Sequence, residues 1–495
     1  MTNIKRAMGK RQMKRVSVLV GVLLVLTAVA GIFNVGVAEA APDLTGTWAG
    51  ILDIPGAELE MIFHIVSEGD VWSGTLDVPA QGAVGIPITE VRLEDAVVIF
   101  DVSLIAGIYS GSFSLDGTSL EGIWEQNGMQ IPLVMQKTLP ELAGPNRPQE
   151  PQAPYPYSEV EVRYPNQEAG IELAGTLTVP AGDGVFPVVL LISGSGPQDR
   201  NEELMGHKPF LVLADYLTRR GIAVLRVDDR GVGESTGDFA SATTLDFADD
   251  VLAGVAYLKT RPEIDPARIG LIGHSEGGLV APLAAKASSD VAFIVLMAGP
   301  GVNGEEIAYL QAALLLQAAG ARQEVIDQQK AMQEALFTIA KTEKDPDKAA
   351  EELRAVILAP YAGLSEEELA SFGDIEGAIM AQTQQLLSPW YQFFMTYDPL
   401  PTLKEITCPV LAINGSKDMQ VPTEPNLTLI ERALEEGGNA DYTVLELAGL
   451  NHLFQTAETG SPEEYYLIEE TMSPAALEVM GDWLLQVTGR RAPLQ

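Results

Sequence analysis

Residues 267–278 read ARIGLIGHSEGG. An apolar run ends at once in Gly273-His274-Ser275-Glu276-Gly277 and passes into Gly278, Ala281 and Ala284. A buried strand that enters a tight turn, and then a helix whose small residues allow close approach, is a setting that serves one kind of chemistry. It lifts a serine hydroxyl above a sheet and aims backbone N–H groups at a developing oxyanion. The same five-residue pattern recurs as Gly233-Glu234-Ser235-Thr236-Gly237, inside DDRGVGESTGDF at 228–239. That run leaves a strand for a polar loop, where glycines serve turns. In a chain with 47 glycines the pattern alone does not choose between the two. The setting does, and it selects Ser275.

Working outward from 267–278, apolar runs alternate with helical stretches. PVVLLIS (187–193) is followed by a helix near 209–220, GIAVLRVD (221–228) by a helix near 244–259, and the central run by the helix after Ser275. VAFIVLMAG (291–299), CPVLAING (408–415) and YTVLELAG (442–449) complete the series. Continuous apolar strands separated by helices indicate a parallel sheet covered on both faces, an α/β architecture. Residues 301–400 break the alternation with helical sequence from IAYLQAALLLQAAG to EGAIMAQTQQLL. So long an insertion between two strands forms a layer of its own, predicted to be a lid over the sheet.

A serine nucleophile needs a base, and the chain has four histidines. His64 lies in an N-terminal β-rich region, and His274 occupies the variable position of the turn, with its side chain expected to face away from Ser275. His207 precedes the turn, whereas sheets carrying such a turn order their groups along the chain as serine, acid, histidine. His452 remains, in AGLNHLFQ just past the last apolar run. The acid that orients the imidazole should follow the preceding strand, which points to Asp418 in INGSKDMQVP rather than to Asp398 in TYDP, at the exit of the insertion.

The first forty residues differ from the rest. Lys5, Arg6, Lys10, Arg11, Lys14 and Arg15 precede an uncharged run from Val16 to Ala38, and Ala38-Glu39-Ala40 has the form of a signal-peptidase site. Residues 1–40 therefore read as an export signal cleaved after Ala40, which makes the chain secreted or extracytoplasmic; the alternative is an uncleaved N-terminal membrane anchor. Residues 41–139, with LTGTW, WSGTLD and YSGSFSLDGTSLEGIW, read as a small antiparallel β domain, a meander or barrel. Its Trp48, Trp72 and Trp124 suit a small β core or a ligand cavity. Pro140, Pro145, Pro148, Pro151, Pro154 and Pro156 mark 140–157 as a semi-rigid linker between independent units, and 158–495 as the second domain.

A formal charge of −37 opposes nucleic acid and anionic lipid as partners. Cys408, the lone cysteine, excludes an internal disulfide and sits in an apolar run, so it reads as a buried strand residue. No metal-ligand spacing is present, and neither metal nor cofactor is expected.

Taken together, GSGPQDRNE (194–202), DDRGVGESTG (228–237), GHSEGG (273–278), PWYQFFMTYDP (389–399), INGSKDMQVP (413–422) and GLNHLFQ (449–455) resemble secreted α/β-hydrolase esterases, close to the serine aminopeptidase-like hydrolases. The resemblance covers roughly 158–490. It implies an α/β-hydrolase fold with a helical lid insertion, and hydrolysis of small-molecule carboxylic esters through Ser275, Asp418 and His452. Where many relatives carry His-Gly after the third strand, this chain has Ser193-Gly194, and the oxyanion donors are then the backbone N–H groups of Ser195 and Glu276. Trp390, Tyr391 and Phe394 are candidates for an acyl pocket wall, with packing inside the insertion as the rival role. A serine peptidase gripping a substrate N-terminus through acids such as Glu366, Glu367 and Glu368 is the second enzymatic reading. A non-catalytic binding protein is the third.

Overall fold

The computed structural model describes residues 44–54, 57–68, 71–78, 83–94, 97–114, 118–126, 129–138, 145–361 and 375–490. The expected export signal, the first of the linker prolines and Glu366–Glu368 lie outside the described residues.

The N-terminal unit is one nine-stranded antiparallel sheet: β1 (Gly46–Ile54), β2 (Ala57–Glu68), β3 (Val71–Val78), β4 (Ala83–Pro87), β5 (Glu90–Glu94), β6 (Val97–Val102), β7 (Gly107–Phe113), β8 (Ser119–Gln126) and β9 (Met129–Thr138). Its order is β4-β3-β2-β1-β9-β8-β7-β6-β5, so the meander turns back on itself and β1 closes on β9. Phe63 of β2 reaches the rings of Phe100 on β6, Tyr109 on β7 and Trp124 on β8, at centroid distances of 5.1, 6.2 and 6.1 Å. In a flat sheet these strands would be far apart; the contacts require that the sheet be rolled around a shared interior. Leu59, Met61, Phe63 and Ile65 face that interior, as their period-two spacing predicts. Trp48 and Trp124 are fully buried within it, and the Trp48 indole donates to the Leu44 carbonyl (2.8 Å).

The second unit is built on an eight-stranded sheet of β10 (Ser158–Asn166), β11 (Ile171–Val179), β12 (Phe186–Ile192), β13 (Ala223–Val227), β14 (Ile264–His274), β15 (Phe293–Met297), β16 (Val410–Gly415) and β17 (Tyr442–Leu447). The order is β10-β11-β13-β12-β14-β15-β16-β17. From β13 to β17 all pairings are parallel, while β10 and β11 form an antiparallel hairpin on one flank. Helices α1 (Pro209–Arg219), α2 (Thr244–Leu258) and α3 (Gly277–Ala287) cross between the strands. The central strands are buried on both faces, which is why they appear in the sequence as unbroken apolar runs. The chain order reverses between β12 and its two neighbours β13 and β14. At such a switch point the loops leaving adjacent strands diverge and open a crevice at the carboxyl ends.

Between β15 and β16 the insertion folds as α4 (Gly304–Ala318), α5 (Gln323–Thr342), α6 (Pro346–Leu358), α7 (Ile375–Leu387) and α8 (Pro389–Thr396), with a short α9 (Leu400–Leu403) leading back to the sheet. It has its own core of Leu336, Phe337, Leu353, Ile357, Ile379, Leu386, Tyr391 and Met395. Helices α10 (Thr423–Gly437) and α11 (Pro474–Val487) finish the fold. Cys408 stands two residues before β16 and is partly buried rather than enclosed within a strand; burial pushes its thiol up to about 11.

The proline-rich stretch is fastened to the second unit. The Arg147 guanidinium donates to the carbonyls of Met205 and Gly206 (both 3.1 Å), Tyr466 (2.8 Å) and Ile468 (3.0 Å). Gln149 accepts from the N–H groups of Thr471 (2.6 Å) and Met472 (3.0 Å) and donates to the Met472 carbonyl (2.7 Å). One side chain thus ties the 205–206 loop to the 466–468 loop. Its removal leaves four carbonyls short of a charged donor, so Arg147→Ala is expected to cost about 2 kcal/mol, a fall in Tm of a few degrees. Arg147→Lys should recover less than half, because one ammonium cannot span both loops. Calorimetry on the full chain measures this, and an unchanged Tm for Arg147→Ala would mean that the strap bears no stability.

Candidate active site

β14 ends at His274, and the next residue, Ser275, has φ +52°, a left-handed backbone unusual for any residue but glycine. The turn is held on one side by the Ser275 N–H bonded to the Met297 carbonyl (2.8 Å) and on the other by the Gly278 N–H bonded to the Ser275 carbonyl (2.9 Å). Glycine is required at two places around it. A β-carbon on Gly273 would lie 2.0 Å from the Gly277 carbonyl oxygen, and one on Gly277 would lie 2.3 Å from that of Ile192. The turn is therefore sharp because its neighbours have no side chains. Glu276 stands at the N-cap position of α3 but makes no side-chain capping bond, at an end where the first N–H groups have no intrahelical acceptor.

The loop after β12 runs alongside. A β-carbon on Gly194 would be 3.2 Å from that of Ser275, so Ser193-Gly194-Ser195 borders the serine directly. Side chains from beneath anchor this loop. Asp229 accepts from the Ser193 hydroxyl and from the Gln198 N–H (both 2.9 Å), and burial pushes its carboxyl up to about 8. Arg200 grips Asp228 through Nε and Nη2 (3.0 and 2.7 Å), which holds that carboxyl below its ordinary range despite its burial. The second Gly-x-Ser-x-Gly copy belongs to this scaffold. Ser235 is buried, donates to the Asp228 carbonyl (2.7 Å) and accepts from the Ala174 N–H (2.9 Å).

Asp418 follows β16 and His452 follows β17, and the structure brings them together. Asp418 Oδ2 meets His452 Nδ1 at 2.7 Å with both side chains almost fully buried. The other carboxylate oxygen, Oδ1, accepts from the N–H groups of Gln420 and Val421 (both 2.8 Å). The acid is thus fixed by its own loop before it touches the imidazole. Asn451 forms the turn that carries His452, accepting from Leu453 (3.1 Å) and Gln455 (2.9 Å). Asp398 is exposed and accepts only the N–H of Leu400 (3.0 Å), at the start of α9. His207 is fully buried beside the Tyr465 carbonyl and Thr471, and burial lowers it to about 4, a neutral packing residue.

From the insertion, the Trp390 indole N–H donates to Glu276 Oε1 (2.7 Å), which also accepts from the Thr244 hydroxyl (2.7 Å). Trp390 stacks on Phe394 at 5.2 Å, while Tyr391 turns into the insertion's own core against Phe337. Of the three candidate wall residues, Trp390 reaches the turn through Glu276, Phe394 stacks on Trp390, and Tyr391 packs in the insertion's core. Three residues of this neighbourhood carry contacts the sequence reading did not assign: Glu202, Thr244 and the side chain of His274. Glu202 lies within the quoted GSGPQDRNE motif, and that motif is the one signal that pointed to it.

Burial raises Glu276 from 4.5 to about 7. A carboxyl that holds its proton more tightly in the folded chain stabilises the fold fully below pH 4.5, and that contribution is lost as pH rises through about 7. Glu276→Gln should therefore flatten the fall in unfolding free energy over this window by about 3 kcal/mol. Urea denaturation of both chains at the two ends of the window reads the difference; equal falls would mean that this carboxyl does not titrate there.

The profile of the Alpha/beta hydrolase family matches residues 189–466. Esterase EstD of Thermotoga maritima is 26% identical over 315 residues, which are 63% of this chain and 66% of the esterase. A Bacillus subtilis protein named uncharacterized peptidase YuxL is 32% identical over 128 residues, 24% of this chain and 18% of the peptidase. This chain thus spans less than two thirds of either relative. Among solved structures, the Pyrococcus furiosus esterase Pf2001 superposes with a TM-score of 0.40 at 17% identity, covering 71% of this chain and 99% of that one. Est1E of Butyrivibrio proteoclasticus, solved with ferulic acid, gives 0.39 at 18% identity over 66% and 100%.

Proposed function

The chain belongs to the alpha/beta hydrolase family, and from that premise we propose that it is a serine carboxylesterase acting on small-molecule esters. The observation that carries the reading is the buried Asp418–His452 pair, 2.7 Å apart, on loops that follow two strands of the sheet bearing the strained Ser275 turn. In this mechanism Ser275 Oγ attacks the acyl carbon while His452 Nε2 takes its proton, and the carbonyl π pair moves onto oxygen. The oxyanion is held by the N–H groups of Glu276 and Ser195. Collapse expels the alkoxide, which leaves with the proton from His452, and an acyl-Ser275 ester remains. Water, deprotonated by His452, then repeats the sequence and releases the acid. Asp418 keeps the Nδ1 proton in place and stabilises the imidazolium that forms twice in the cycle.

The helical insertion serves as the lid in this reading, with Trp390 and Phe394 as an apolar wall beside the acyl group and Tyr391 as packing behind them. Residues 1–40 act as an export signal cleaved after Ala40, so the enzyme works outside the cytoplasm. A peptidase reading retains support from the match to the Bacillus subtilis protein of that name. Turnover of p-nitrophenyl butyrate against that of aminoacyl-p-nitroanilides separates the two. The esterase reading expects the ester to be preferred by orders of magnitude, and preference for the anilide would replace it.

A further inference from the structure

We propose that Glu202 and His274 form a buried carboxylate–imidazolium brace that positions both the oxyanion loop and the base loop of the reaction centre. This inference rests on the esterase reading above. Glu202 Oε1 meets His274 Nδ1 at 2.9 Å, and His274 Nε2 meets the backbone carbonyl of His452 at 3.0 Å. The His452 carbonyl can only accept, and Glu202 Oε1 can only accept while the acid is ionised. A neutral imidazole has one N–H and would set a lone pair against one of those oxygens, so the arrangement calls for two N–H groups and a positive ring. Both side chains are nearly fully buried, and an ion in such a place is retained only with a close counter-charge and satisfied hydrogen bonds, which Glu202 and the His452 carbonyl supply.

The pair connects three pieces of the site. Glu202 Oε1 also accepts the Gly194 N–H at 2.7 Å, fixing the loop that borders Ser275 and presents the next N–H, that of Ser195. His274 immediately precedes Ser275 in the chain. Through its carbonyl, His452 is anchored to the same ring, and the two imidazoles lie 4.8 Å apart. Glu202 itself holds a left-handed backbone, φ +51°, a strained state kept only where surrounding contacts over-determine it. The surrounding loop does so, with Asp199 accepting the N–H groups of Asn201 and Glu203.

The charged groups facing His274 are Glu202 and, farther away, Asp418, both of which favour its protonated form against burial. Its third neighbour, Phe454, is apolar. The titratable ring of His452 also faces His274, 4.8 Å away, so a positive His274 offsets the Glu202 carboxylate beside the base loop. The brace thus supplies geometry and cancels a charge.

Because the chain has four histidines, selective ¹⁵N-histidine labelling of the full chain resolves the ring directly, with His274→Gln assigning the signal. The wild-type ring should keep protons on both nitrogens to a higher pH than an ordinary histidine, and the Glu202→Gln ring should lose the second proton at lower pH than wild type. Glu202→Gln should also lower ester kcat by roughly 10- to 100-fold with little change in KM. The alkaline decline of kcat/KM that accompanies loss of the His274 proton should move to lower pH in Glu202→Gln and vanish in His274→Gln. A residue that merely stabilised the fold would leave that limb where it is. A wild-type ring that loses its second proton no later than in Glu202→Gln, or a Glu202→Gln enzyme with unaltered kcat and limb, overturns the brace even with esterase activity intact. A wild type that turns over no ester, whatever its ring state, overturns the esterase reading and with it the brace's part in a reaction.

Discussion

Ser275→Ala is expected to lower kcat on small esters by a factor on the order of 10⁴–10⁶, because in the proposed mechanism the hydroxyl forms the covalent intermediate and nothing else at the turn can replace it. The residual rate is what the oxyanion donors and binding alone provide. The backbone at Ser275 is left-handed, so alanine there keeps the strain that serine bears, roughly 1 kcal/mol relative to glycine. Ser275→Gly should accordingly be as inactive as the alanine variant and no less stable. Two inactive, folded variants, one keeping the backbone strain and one relieving it, separate loss of the nucleophile from loss of the turn. Ser235→Ala provides the contrast. Its hydroxyl joins Asp228 to Ala174 inside the scaffold, so the change should cost about 1–2 kcal/mol of stability while kcat per folded molecule stays within a few-fold. A tenth of the wild-type activity surviving in Ser275→Ala would remove this serine from the mechanism.

The sequence revealed those parts of the molecule whose physics is local. Strands β12 to β16 announce themselves because a parallel sheet covered on both faces demands apolar residues at consecutive positions, whereas β17, at the sheet edge, is only partly buried. The Ser275 turn is legible because sterics impose glycine at 273 and 277, and Asp418 and His452 because each follows a strand of this sheet by a few residues. The hairpin β10–β11 escaped attention. It lies on the flank, where Glu159, Glu161 and Arg163 on its outer face break the apolar run, and period two without a second signal is easily passed over.

Contacts made between distant loops left no comparable trace. Arg147 directs donors to four backbone carbonyls of distant loops, and a carbonyl carries no residue identity, so the composition of 140–157 suggests extension and says nothing of docking. The same holds for His274. Its position in the turn implied a side chain directed away from Ser275, which was the whole of what the pattern offers. That it meets Glu202, 72 residues earlier, and the carbonyl of His452, 178 later, depends on how three loops converge at one end of the sheet. Tyr391 illustrates the limit in another way: aromatic residues at helical spacing look alike whether they line a pocket or a core, and here Tyr391 lies in the core and Trp390 packs against it.

Asp418→Asn is the second large expected effect, and the geometry dictates its cause. Oδ1 accepts two backbone N–H groups, from Gln420 and Val421, and an asparagine must keep its oxygen there, because its NH₂ would confront two donors. The amide nitrogen then occupies the place of Oδ2, 2.7 Å from His452 Nδ1, and presents hydrogens to it. His452 can accept that bond only by moving its proton to Nε2, the nitrogen that must be free to take the proton of Ser275. The substitution therefore preserves shape and fold while locking the wrong tautomer, at a cost on the order of 10⁴ in kcat. Asp418→Ala should be less stable than Asp418→Asn, since it leaves the His452 Nδ1–H and both backbone donors without an acceptor. Asp398→Asn can keep its single bond to the Leu400 N–H and should remain within a few-fold of wild type. Measured kcat on one soluble ester for the three variants, beside their Tm values, decides the role. Asp398→Asn crippled and Asp418→Asn nearly normal would transfer the acid to the exit of the insertion, and the buried 2.7 Å contact would then serve stability alone.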